Sequence, residues 1–233
     1  MDIDAFWRLM ADSLDHTPSR VARQEFLQAR LATLVPDDIV AFQAHVDLTC
    51  DRADTWDLSG AGQRIFDGWI SDDGFEYFRL WLIGRGKDAF ERAVADPDSL
   101  ADLPEIQRLA GRPMREWDSE EEWPEWESLD YVASHAFGEA TGDSDEDHEA
   151  FYDAVESRLA DQKFRRSPEG ARWDARDESA SAAIVPKLSA MFPLNAREPF
   201  DGLNKRAQSS PARRVRRRGN LYPAPKIVYK FAK

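Results

Sequence analysis

Apolar residues recur three and four positions apart along most of the first 194 residues, the period of a helix that presents one face to a core. Ile3, Phe6, Trp7, Met10 and Leu14 open the pattern, with Asp2 or Asp4 placed to cap it. Thr17-Pro18 restarts it, the hydroxyl as cap and the proline in the first turn, with Val21, Phe26, Leu27, Leu31 and Leu34 as the face. Val35-Pro36 closes that helix, because proline disfavours a helical residue before it. Pro36-Asp37-Asp38 begins the next with acids at its positive end, and Ile39, Phe42, Val46 and Leu48 follow. Thr55 or Asp57 then caps a segment bearing Leu58, Ile65 and Phe66.

The densest stretch is GWISDDGFEYFRLWLIGRG, residues 68–86. Ser71 and Asp72 are its cap residues, and Glu76 sits where a capping-box acid reaches back. Phe75, Phe78, Trp81, Leu82 and Ile83 cover more than one face, which predicts a helix buried on most sides. Gly84 and Gly86 end it, and residues 87–94 make a short helix on Phe90 and Val94. The acidic run EWDSEEEWPEWE, residues 116–127, carries three tryptophans and a proline and reads as a loop that docks its indoles. Helices are predicted over residues 129–140 and around Phe151, Val155 and Leu159. A last one carries Ile184, Leu188, Met191 and Phe192. The predicted fold class is all-α, an irregular multi-helix single domain over residues 1–194.

Charge adds a boundary. The chain has 44 acidic and 31 basic residues, net −13. Residues 195–233 hold eleven Lys and Arg against two acids, which makes that tail +9 and leaves −22 on residues 1–194. The tail lacks a periodic apolar face apart from a candidate short strand at residues 226–231, so disorder is expected there. One cysteine, Cys50, excludes an internal disulfide and fits a reducing compartment. The opening MDIDAFWRLMADSLD has acids where a signal peptide needs basic residues, and no apolar run is of membrane length. The expectation is a cytoplasmic protein without a membrane partner.

Four stretches in order, MDIDAFWRLM, SDDGFEYFRLWLIGRGKDAFERAVADPDSLA, YVASHAFGEATG and RRSPEGARWD, resemble the bacterial family called domain of unknown function 4240. The resemblance implies a mostly helical domain and brings no reaction, cofactor or catalytic residue. The family pattern leads one to expect a Leu-Trp pair after Phe192-Pro193, where this chain continues into Leu194-Asn195 and the basic tail.

Several residues could carry chemistry. Asp72 and Asp73 could bind a metal or act as a base, but adjacent carboxylates point apart, and capping is the simpler role. Tyr77 and Arg79 are the polar residues of an otherwise apolar helix and mark a candidate pocket; Glu76, three residues away, is the expected ion-pair partner of Arg79. His135 and Glu139 stand four apart on one helix face, short of the three or four ligands a metal needs. His45, Asp47 and Cys50 form a looser group. SGAGQ at residues 59–63 lacks the Lys and Ser/Thr of a phosphate loop, and neither a cofactor nor a metal is expected. The basic cluster at residues 213–218 can touch nucleic acid non-specifically, without a motif for specific reading. Trp123 and Trp126 among acids would, if exposed, suit a protein partner. The favoured reading is therefore a non-enzymatic interaction or regulatory module with an acidic, Trp-containing surface. The alternative is an enzyme with a pocket on the Asp72–Arg79 helix.

Because the tail carries charge rather than core positions, removing residues 195–233 is expected to preserve the helical circular-dichroism signal. The melting temperature should hardly change at physiological salt, where screening acts within about 8 Å. Weak salt-sensitive retention on heparin should disappear. Unfolding on truncation would make residues 226–231 part of the core.

Overall fold

The computed structural model describes residues 1–143, 145 and 148–194, with the backbone of 213–214 and 223–224. The chain divides into two units, Met1–Leu194 and Asn195–Lys233. In the second, Arg213–Arg214 pairs antiparallel with Pro223–Ala224. The disorder expected of the tail and the candidate strand at 226–231 lie outside the described residues.

The first unit is helical. Its helices are α1 (Ile3–His16), α2 (Arg20–Ala32), α3 (Pro36–Arg52), α4 (Trp56–Ile65), α5 (Asp72–Ile83) and α6 (Lys87–Ala95). They continue with α7 (Pro104–Leu109), α8 (Val132–Thr141), α9 (Glu149–Leu159), α10 (Glu178–Ile184) and α11 (Pro186–Met191). Short 3-10 helices at Pro97–Asp102, Met114–Glu116, Glu120–Glu122 and Glu127–Tyr131 join the middle helices.

Local signals account for most boundaries. Asp2 caps α1 by accepting from the Ala5 amide at 2.7 Å, and Thr55 caps α4 by accepting from Leu58 at 3.1 Å. Pro36 occupies the first turn of α3, where its missing N–H costs nothing. The start of α2 departs from expectation: Ser19, not Thr17, is the cap, and Pro18 precedes the helix. Its buried face also differs, since Val21 is 59% exposed while Arg20, Arg23, Leu27 and Leu31 turn inward. The helix expected around residues 184–192 is two helices, because Pro186 cannot continue α10 and instead opens α11.

α3 is the central element, with α1, α2, α5, α8 and α9 packed around it. Ile39, Phe42 and Val46 are buried on it, and so is Gln43. α5 lies alongside, covered on most sides as its pattern requires: Phe78, Leu80, Trp81, Leu82 and Ile83 are each at most 3% exposed. Stacking of Phe78 on Trp81 (5.6 Å between ring centroids) extends this core.

The segment after α9 is bolted to the rest by polar anchors. Arg64 of α4, fully buried, grips Glu178 with both terminal nitrogens at 3.0 and 3.1 Å. It also donates to the carbonyls of Ala175 (3.0 Å) and Ser189 (3.3 Å). Asp98 accepts from the backbone amides of Lys187 and Leu188 (3.1 and 3.0 Å) and so caps α11 from outside. Trp173 donates to Asp57 at 3.0 Å and lays its ring over Gly60. A Cβ at position 60 would meet that ring at 2.2 Å, so the indole must move if any side chain is introduced. Gly60→Ala is therefore expected to destabilise by about 1–3 kcal/mol, as overpacking does. It should also speed proteolytic cleavage between residues 160 and 175. Unchanged melting and cleavage would mean that Trp173 is not seated there.

Candidate functional site

α5 is where the sequence places its candidate chemistry, and its geometry separates the residues. Ser71 is the cap, accepting from the Gly74 amide at 2.9 Å. Asp72 is thus the first helical residue rather than a cap, and with Asp73 it stands exposed in the first turn, favourable to the helix dipole. Tyr77 and Arg79 are two residues apart and hence on nearly opposite faces. Arg79 is buried: it donates to the Cys50 carbonyl (3.1 Å), pairs with Asp54 (3.7 Å) and lies over the Phe75 ring (4.9 Å). Its guanidinium thus reaches across to the end of α3. Burial raises the pKa of Asp54 despite that pairing.

Tyr77 faces the other way, toward the turn Glu127–Tyr131. Its hydroxyl donates to the Glu127 carboxylate, and its backbone carbonyl accepts from Trp126 at 2.9 Å. Burial first, then nearby carboxylates, raise the pKa of both Tyr77 and Tyr131, so each phenol stays neutral. Burial raises Glu127 as well, against the lowering effect of the Tyr77 hydroxyl. Gln43 from α3 reaches the same region, donating to Asp47 (2.9 Å) and Asp130 (3.0 Å). None of Gln43, Glu127, Asp130 and Tyr131 stands out in sequence, because each is an ordinary polar residue at an unremarkable spacing.

The other candidates lie elsewhere. His135 is half-buried with its ring 5.5 Å from that of His148, and burial followed by His148 lowers its pKa. Glu139 is exposed and accepts from Gln28 of α2. His45 packs on Phe6 with Nε2 3.3 Å from the Met1 carbonyl, so it does not join Cys50. Burial pushes the Cys50 thiol up, away from nucleophilic use. Among the described residues no group of three or more His, Cys, Asp or Glu is arranged to hold a metal.

The acidic segment does dock its indoles. Trp126 is 2% and Trp117 5% exposed, and Trp123 is half-buried against Trp117 at 5.0 Å. Trp123 and Trp126 thus do not form an exposed aromatic surface: Trp117 and Trp123 pack on Phe66 at the end of α4, and Trp126 packs at the end of α5. Gly84 makes room, since a Cβ there would meet the Trp126 ring at 2.6 Å. Across the Trp126 ring lies Arg23, with its guanidinium carbon 4.5 Å from the centroid. Burial pulls the pKa of Arg23 down to about 9, which still leaves it charged at neutral pH. The exposed indole is a different one, Trp69, at 46%.

The family described as protein of unknown function (DUF4240) matches residues 1–139. The chain belongs to the DUF4240 family. No curated protein and no solved structure matches it. The DUF4240 match covers α1 to α7 and most of α8, so it contains Ser71, the whole of α5, the acidic segment and Arg23. α9 to α11 lie beyond it, although Arg64 and Asp98, within it, hold α10 and α11 in place. Among the described residues no helix is long and apolar enough to cross a membrane.

Glu127 yields a pH prediction. Because the folded state raises its pKa, the native protein holds that proton more tightly than the unfolded chain does. Ionisation therefore weighs against folding as pH rises above the ordinary carboxylate range. Glu127→Gln keeps an acceptor for Tyr77 and should melt above the parent at pH 7. The gap should close as pH falls to about 4, where the unfolded carboxyl is largely protonated. A gap constant with pH would assign the effect to packing instead.

Proposed function

We propose that the first unit is an interaction module that grips a basic segment of a protein partner at the turn before α5. The observation that carries this reading is Trp69. Its indole stands 46% exposed, while Trp7, Trp81, Trp117 and Trp126 are each at most 5% exposed. Asp67, Asp72 and Asp73 are exposed on either side of it in sequence.

The turn supports a fixed presentation. Asp67 and Gly68 both take positive φ (57° and 87°), a shape the Gly68 amide closes by donating to the Gln63 carbonyl at 2.6 Å. The Gly68 carbonyl in turn accepts from Arg176 at 3.1 Å. A tryptophan held in place loses little conformational entropy on binding, which is why such residues anchor interfaces. Carboxylates around an indole favour a cation: they steer Lys or Arg in, and the ring face then receives the charge. The −22 of residues 1–194 acts in the same direction at longer range. The acidic, Trp-containing surface expected from sequence is thereby moved from Trp123 and Trp126 to Trp69 with Asp72 and Asp73.

Trp69→Ala is expected to leave stability within about 0.5 kcal/mol of the parent, as for other exposed positions. Cross-linking in the native cell should capture a protein with the parent that both Trp69→Ala and Asp72→Asn/Asp73→Asn fail to capture. Equal capture by all three would sink the proposal.

A further inference from the structure

Three guanidinium groups lie near one another beneath the acidic segment, close enough that the charges of Arg20 and Arg85 act on Arg23 under the Trp126 ring. Arg20 is the first residue of α2, Arg23 lies one turn on, and Arg85 follows the end of α5. Arg23 donates through Nη2 to the Gly84 carbonyl (2.8 Å) and through Nη2 and Nε to the Ser13 hydroxyl (3.1 and 3.3 Å). Arg20 donates through Nε to Glu121 (3.2 Å) and through Nη1 to the carbonyls of Trp123 (2.9 Å) and Glu125. Arg85 pairs through Nη1 with Glu105 at 2.7 Å. After these bonds Arg20 Nη2, Arg23 Nη1 and Arg85 Nε are buried and have no partner among the described residues. The Arg20 and Arg85 side chains are 10% exposed and Arg23 is 0% exposed. Glu121 pairs with Arg20, Glu105 pairs with Arg85 and Arg108, and among the described residues no carboxylate pairs with Arg23.

Such an excess of buried donors is unfavourable, since a desolvated N–H without an acceptor loses the hydrogen bond it made to water. Planar guanidinium forks match the oxygens of a carboxylate or phosphate. Glu121 already shows how such a group is held. One of its oxygens accepts from the Arg20 side chain, and the other accepts from the Arg20 backbone amide at 2.7 Å, in the first turn of α2. Its side chain is 45% exposed, so the position it occupies opens to solvent.

We propose that Arg20, Arg23 and Arg85 form a binding site for a small oxyanion, and that Glu121 is its built-in occupant, displaced when the oxyanion enters. The site is separate from Trp69 and takes the opposite charge. The chemistry it recognises is a phosphate or carboxylate group, presented free or on a larger molecule.

Inorganic phosphate is the first probe, with acetate in parallel, each against sodium chloride at equal ionic strength and pH 7. The full chain should melt higher in millimolar phosphate than in chloride. Glu121→Gln removes the competing charge but keeps the helix contact, and should lower the half-maximal phosphate concentration several-fold. Arg20→Gln and Arg85→Gln should each abolish the response. A response to phosphate alone assigns a phosphoryl ligand, and one to acetate as well assigns the wider carboxylate class. The proposal is overturned if neither the parent nor Glu121→Gln responds beyond chloride, because the three N–H groups are then served by water. It is equally overturned if the Arg20 and Arg85 variants keep the parent's response, because the ion then binds elsewhere.

Discussion

A charge carried inside the protein organises its first half. Arg23 is fully buried, and among the described residues no carboxylate lies within ion-pairing distance of it. A guanidinium in that position is tolerable only if its N–H groups find oxygens and its flat faces find polarisable surface. Ser13 of α1, the Gly84 carbonyl at the end of α5 and the Trp126 ring meet those needs from three separate parts of the chain. Satisfying one side chain of α2 therefore fixes where α1, α5 and the acidic segment lie. The requirement is directional, unlike apolar burial, so it selects one arrangement among the many that would hide the same leucines. Gly84 belongs to the same constraint, since the indole reaches the guanidinium only where no Cβ intervenes.

The same feature explains what the sequence conceals. Positions 20, 23, 27 and 31 make a regular buried face on α2, but two of the four are arginines. A reading by hydrophobicity passes over them and assigns Val21 to the core instead. Arg64 and Arg79 hide in the same way, one gripping Glu178, the other reaching the end of α3. Where a face is purely apolar, as on α5, the pattern leads directly to the structure. Where proline or a capping hydroxyl sets a boundary, the prediction holds to within a residue or two: Thr55 and Pro36 stand as expected, Ser71 rather than Asp72 is the cap of the two offered for α5, and Ser19 takes the role assigned to Thr17. Serine and aspartate both cap, and composition does not rank them when they are adjacent.

The candidate site was legible only as a helix with too many polar residues. The two-residue separation of Tyr77 and Arg79 could have shown that they do not share a pocket, since it turns them about 200° apart on a helix. What meets Tyr77 is decided by tertiary packing. Glu127 arrives fifty residues later through a 3-10 turn, and Gln43 and Asp130 meet across elements with no periodic relation. Their signal is spatial, and a single sequence does not carry it.

Tryptophan placement ties these points together. In the acidic segment, carboxylates and indoles act jointly on the arginines beneath: Glu121 pairs with Arg20 while Trp126 covers Arg23. The acidity of that segment is therefore partly internal, matched to buried cations rather than offered to solvent. Trp173 and Trp81 have comparable structural duties, one seated over Gly60 and the other stacked on Phe78. Trp69 has none of this kind: it heads no ring stack and covers no guanidinium among the described residues. It follows a backbone turn with two positive φ angles and precedes Asp72 and Asp73, which stand exposed in the first turn of α5 while Ser71 caps it. Folding alone thus accounts for the buried indoles, whereas Trp69 stands exposed before α5 and takes part in no such packing among the described residues.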